Sequence, residues 1–194
     1  MSLENTLQIF PSLAPTFRHP FSLTSLTLDS LAHVPASLVA SLFLSSPHLE
    51  FLTIAIHPSC QELLLSIEAA FPSVAPTITH LSTSILTPDV LRCAGRLVSL
   101  EHKVFSSEDS LEETVRSLPV DRKPKLRKLG TFARDWNLGR ELLRAIALPA
   151  CALLEVLELR AWAEDEVAKT DWGPDLVGAC KKRGIEVLLG PNPP

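Results

Sequence analysis

His57 and Cys60 form the closest His/Cys pair in the sequence, and the first chemistry that a His-x-x-Cys spacing could serve is zinc binding. A structural zinc takes four ligands, usually as two close pairs. The sequence offers no second pair, so no metal is expected. The four cysteines, Cys60, Cys93, Cys151 and Cys180, are scattered without a CxxC, and no spacing singles out one of the six histidines as a base for a cysteine nucleophile. They read as reduced thiols of a core. There are only 7 glycines and neither GxGxxG nor GxxxxGK[ST], which removes the loops that cradle nucleotide phosphates. GxSxG, the strained turn of a serine nucleophile, is also absent. These absences lead to the expectation of a non-enzyme with no cofactor.

The charged stretches carry the remaining candidates. The run Arg122-Lys123-x-Lys125-x-Arg127-Lys128 could meet an acidic partner, but it has no interleaved aromatics for stacking bases and reads as a solvated connector entering a strand. Glu164-Asp165-Glu166 reads as a solvated loop, and Ser106, Ser107 and Ser110, which stand near carboxylates, read as helix caps. Net charge is −4, which gives no general attraction for nucleic acid or an anionic membrane. The distribution is uneven: residues 1–97 hold 3 Lys/Arg and 6 Asp/Glu, residues 98–194 hold 15 and 16.

The elements that would position these residues follow from the 35 leucines. An L-x-x-L-x-L pattern recurs as Leu23-Leu26-Leu28, Leu49-Leu52-Ile54 and Leu154-Leu157-Leu159, with weaker copies starting at Ile78, Leu97 and Leu126 and a terminal copy, Ile185-Val187, counted from Lys182. The mean spacing of these seven starts is about 26.5 residues, room for one strand and one helix but not for two helices. Alternation within each copy predicts a strand. Helical spacing predicts helices over 35–44, from a Ser59-x-x-Glu62 capping box to Phe71, from Thr87-Pro88 to Gly95, from near Ser107 to Leu118, over 137–148, and over 174–183 with Leu176, Val177 and Cys180 inward. The echo FPSLAPTFRH at 10–19 and FPSVAPTITH at 71–80 suggests that residues 3–10 form the helix of a degenerate N-terminal repeat.

The series, with the turns Ser46-Pro47-His48-Leu49 and Pro149-Ala150-Cys151 before the leucines, resembles leucine-rich repeats of the ribonuclease-inhibitor-like class, and is similar to the degenerate arrays of fungal F-box proteins. The resemblance spans about residues 20–190. It implies an α/β leucine-rich-repeat solenoid, curved, with parallel strands on the concave side and helices on the convex side. The family's Asn/Cys ladder is missing: the corresponding positions hold Leu31, His57, Leu86, Phe105, Arg134 and Trp162. An F-box is not recognisable, and residues 1–20 are too few to hold one.

If the second and third leucines of each copy point inward, the residues two, four and six after each start point outward. The charged and aromatic members of those rows, Phe51, His80, Glu101, Lys103, Lys128, Phe132, Glu158 and Arg160, are the expected partner-binding face. The sequence therefore predicts one domain over 1–194, a monomeric protein-interaction scaffold with substrate recognition in an F-box-type ubiquitin ligase as its setting. An enzyme with an unrecognised site and a degenerate structural fragment are the alternatives. The expected partners are proteins, not nucleic acid or membrane. The N-terminus has no basic and apolar signal segment, and the expected location is intracellular, cytoplasmic or nuclear.

Overall fold

A computed structural model describes residues 6–7, 23–29, 35–55, 60–83, 87–102, 110–119, 125–132, 138–160 and 162–190. The chain divides into two compact units, Met1–Leu97 and Val98–Pro194.

In the first unit the strands are β1 (Thr6–Leu7), β2 (Ser25–Asp29), β3 (Phe51–Ala55) and β4 (His80–Thr83), paired in chain order and all parallel. The helices are α1 (Ala36–Leu44), α2 (Gln61–Ala70) and the single turn α3 (Pro88–Leu91). The second unit holds β5 (Ser99–His102), β6 (Lys128–Thr131), β7 (Val156–Leu159) and β8 (Glu186–Leu189), again paired in order and parallel. Its helices are α4 (Leu111–Ser117), α5 (Leu138–Ile146), α6 (Glu164–Lys169) and α7 (Gly173–Arg183). Parallel neighbours need a crossover, and here a helix lies in each one described.

The leucine pattern does what its alternation requires. Leu26, Leu28, Leu52, Ile54, Leu81, Leu100, Leu129, Leu157 and Leu159 are buried, while the described residues between them in each strand are half-buried or exposed, except Gly130 on β6, which is buried. The first leucine-type residue of each copy (Leu23, Leu49, Ile78, Leu97, Leu126, Leu154) is buried as well, in the turn before the strand. In place of the missing side-chain ladder, the main chain supplies one. In the first unit Thr24 O accepts from the N–H groups of Glu50 and Phe51, and Glu50 O from those of Thr79 and His80. In the second, Val98 O accepts from Arg127 and Lys128, and Arg127 O from Glu155 and Val156. Each carbonyl thus sits one residue after its copy's start and serves the next copy at a constant offset. Buried main-chain groups have to be paired, and this spine pairs them whatever side chains the copies carry.

The spine corrects the last repeat. Glu155 O accepts from Glu186, and Leu157 lies opposite Val187. The terminal copy is therefore counted from Gly184, not Lys182. Glu186 moves to the row of Lys128 and Val156, and Leu188 takes the outward place beside Glu158. Gly184, at φ 71, ends α7, and Ile185 N–H closes the turn onto Cys180 O at 2.9 Å.

Several boundaries also differ from expectation. Thr6–Leu7 is a strand, not part of a helix over 3–10, because its main chain pairs with Ser25–Leu26. The first of the two echoed decapeptides lies outside the described residues. The helix of the second repeat is capped by Cys60, one residue late for a Ser59 box, and Ser59 lies outside the described residues. α3 stops at Leu91, before Gly95. α4 starts at Leu111 and not near Ser107, since Ser110 is its cap: Glu113 N–H donates to Ser110 Oγ at 3.3 Å. Glu141 on α5 also accepts from Leu111 N–H at 3.1 Å, so the same helix end is held from outside. The stretch read as an acidic loop is α6, where the Glu166 carboxylate accepts from Ala163 N–H at 2.9 Å. Val177 is exposed, not inward.

Only Cys151 and Cys180 are core residues; Cys93 is exposed and Cys60 half-buried. Burial pushes the Cys151 thiol up to about 11, against the opposing charge of Arg183, and shifts Cys180 in the same direction. A thiol reagent should therefore modify Cys93 quickly in the native protein and reach Cys151 and Cys180 only on unfolding. Peptide mapping after a timed quench reads the order, and early labelling of Cys151 would contradict the burial.

Candidate functional site

The expected face divides between the units. In the second, adjacent strands carry Glu101 on β5, Lys128 on β6 and Glu158 on β7, with Phe132 and Arg160 just beyond the ends of β6 and β7. Register sets Glu101, Gly130 and Glu158 side by side. Gly130 has no side chain to hold the acids apart. A methyl placed there would stand 3.5 Å from Glu101 Cγ and 3.7 Å from Glu158 Oε2, so both acids lean over the glycine.

That approach is what Arg160 bridges. Its Nη1 is 3.5 Å from Glu101 Oε1 and its Nε 3.1 Å from Glu158 Oε1. Lys128 Nζ takes the other Glu158 oxygen at 2.8 Å. The guanidinium carbon also stands 5.2 Å from the centroid of the Phe132 ring, a cation–π distance. The cationic side chains are 35–37% exposed and the acids 18–19%, so the acids form the floor and the cations the outer layer.

Burial pushes the Glu158 carboxyl up, but Lys128 and Arg160 outweigh it and hold it below the ordinary glutamate value of 4.5. A carboxyl lowered by native partners stabilises the fold above its unfolded-state value, and loses that contribution as the pH falls through the folded value. Glu158→Gln should thus be less stable than the parent at about pH 7, by a deficit that shrinks as the pH is lowered towards about 3. Urea titrations at both pH values read the difference; the same deficit at both would show that the charge is irrelevant.

In the first unit Phe51 and His80 occupy paired positions on β3 and β4. Their rings stack at 4.3 Å with an interplanar angle of 17°. Thr79 Oγ1 lies 2.9 Å from His80 Nδ1, which fixes the ring. The surrounding outward positions, Ser25, Thr27, Thr53 and Ser82, are hydroxyls. Lys103, Arg122, Lys123, Ser106, Ser107 and His57 lie outside the described residues. Of the remaining basic run, Lys125 and Arg127 are exposed, and Arg127 Nη1 pairs with Glu155 at 2.5 Å.

A feature that sequence reasoning missed lies in the second unit. Between α6, α7 and β8 is a groove of about 740 Å³, walled by Trp162, Val167, Val177, Val187, Leu188 and Leu189 among others, with no titratable side chain in its lining. The signal in the sequence is Glu186-Val-Leu-Leu-Gly190, which is apolar at consecutive positions. Among the described residues no group of acids, histidines and cysteines is arranged to hold a metal ion. None of the described helices is long and apolar enough to cross a membrane.

No family model matches the chain, and no curated protein is detectably similar to it. Among solved structures, the chain is similar to the leucine-rich repeat-containing protein LegL7 from Legionella pneumophila, at 19% identity and a TM-score of 0.55. The match covers 86% of this chain and 59% of LegL7, so the chain spans well under two thirds of that protein. The strand–helix alternation, the constant main-chain spine and this likeness together give the chain the leucine-rich-repeat fold.

Proposed function

We propose that the chain is a non-catalytic scaffold that holds a protein partner on the outward strand face, with the Glu101–Lys128–Phe132–Glu158–Arg160 cluster as its main contact. The observation that carries this reading is the cluster itself: long and aromatic side chains gather from three adjacent strands on the solvent side of a sheet whose other side is core. Arginine and aromatic residues dominate the energetics of protein interfaces, and a pre-ordered arginine loses less freedom on binding. The sharing of Arg160 between two acids and a ring supplies that order. The groove, apolar and without an acid, base or nucleophile in its lining, gives no comparable support to catalysis. Within the scaffold reading, the similarity of the repeats to fungal F-box arrays favours substrate recognition for a ubiquitin ligase as the setting.

The test is an affinity capture with the whole chain beside Phe132→Ala/Arg160→Glu, followed by quantitative proteomics. The proposal expects a defined subset of proteins to fall away, with ubiquitin-ligase components or their substrates among the co-captured set. Identical capture by both proteins would overturn the face assignment, and a captured set without ligase components would overturn the ligase setting.

A further inference from the structure

The Phe51–His80 stack has a geometry that implies an occupant. Phe51 is 44% exposed although it is the largest apolar side chain among the described outward residues of β2 to β4. Neighbouring strands are about 4.8 Å apart. The 4.3 Å stack therefore runs along the row, with His80 covering the ring face on the β4 side. On the β2 side the neighbour in register is Ser25, whose side chain is too short to cover the other face. The result is a slot with one wall, the exposed face of Phe51, and Ser25 as its floor, with Thr27 and Thr53 in the next row.

We propose that this slot receives an arginine side chain from an extended segment of a partner protein. A guanidinium is planar and stacks on an aromatic face, and its N–H groups point outward in the plane, towards acceptors at the edge. The slot supplies the ring face and a surround of hydroxyl acceptors. Charge favours a cation: Asp29 continues the alternation of Ser25 and Thr27 along β2, and the described outward positions of β2, β3 and β4 hold no Lys or Arg to repel one. Lysine satisfies the charge without the plane, and an aromatic group satisfies the plane without using the charge or the hydroxyls. The proposal rests on the strand-face reading above and adds the chemistry of one contact.

The probe is the blocked tripeptide acetyl-Ser-Arg-Ser-amide, titrated into the whole isotope-labelled chain and followed by the aromatic carbon–proton resonances of Phe51 and His80. Citrulline and lysine versions are the controls, since citrulline keeps the plane and most of the hydrogen bonds without the charge. Saturable shifts at both rings are expected, with the citrulline and lysine peptides binding about threefold more weakly or worse. Phe51→Leu, which keeps an apolar residue on an exposed position and so keeps the fold, should remove the preference for arginine. Ser25→Ile, which covers the ring with a branched aliphatic side chain, should do the same. Equal titrations by the three peptides, or an arginine preference that survives Phe51→Leu, would overturn the proposal. Because this titration needs no natural partner, its failure leaves the capture result for Phe132→Ala/Arg160→Glu standing by itself.

Discussion

Gly139→Ala should destabilise the protein by about 3 kcal/mol, near the upper end of what overpacking a core costs. Gly139 is the second residue of α5, and the Trp172 indole packs where its Cβ would stand. A methyl group there would fall 1.8 Å from Trp172 Cδ2 and 2.1 Å from Cγ, far inside contact distance. The indole cannot swing away cheaply. It is 2% exposed and meets Trp162 edge-on at 5.3 Å and 85°. Trp172→Leu should cost stability alone, through lost contacts. In the double variant the smaller side chain leaves room for the methyl, so the two losses should sum to less than their total by 1 kcal/mol or more, as touching residues do. Urea denaturation of the four proteins reads the cycle. Additive losses would show that the two residues do not press on each other.

Neither residue stood out in the sequence, and the reason is physical. Periodicity reports which face of an element is inward, because burial repeats at 2.0 or 3.6 residues. It therefore predicted the inward leucines of β2 to β7, and the inward positions Leu38, Leu42, Ile67, Leu142, Ile146, Leu176 and Cys180 of the helices. It does not report which two inward faces touch, and the fit of Gly139 to Trp172 is such a pairing over 32 intervening positions. The α6 helix was illegible for a related reason: its six residues carry one apolar turn, too little for a period, and its start is fixed by the Glu166 side chain. The register of the last strand is not legible in the sequence because Glu-Val-Leu-Leu is apolar on both faces, and main-chain bonding to Glu155 sets it. Of the candidate site, the membership of the outward rows was legible, since it needs only alternation. The bridging of Glu101 and Glu158 by Arg160 was not, because it depends on the gap left by Gly130 on the strand between them.

Leu157→Ala should cost about 3 kcal/mol, while Val156→Ala, one residue away, should cost less than about 1 kcal/mol. Leu157 is fully buried in the middle of the second unit's sheet, between Leu129 and Val187 in register. Truncating it removes apolar contacts and leaves a cavity that β6 and β8 are too well paired to close. Val156 stands on the outward side, half-exposed between Lys128 and Glu186. The contrast within one dipeptide tests the alternation on which the whole partner face rests, and it is insensitive to which protein binds there. Comparable losses for the two variants would mean that both sides of the sheet are core, leaving no face to offer a partner.

The central claim is that the outward strand face, not the helical side, meets the partner. A photo-crosslinking residue placed at Val156, beside the charged cluster, and separately at Arg140, exposed on α5, tests it most directly in a cell extract. The account predicts a discrete adduct from position 156 that disappears in the Phe132→Ala/Arg160→Glu background, with none of that size from position 140. An adduct formed from position 140 and not from 156 would contradict it.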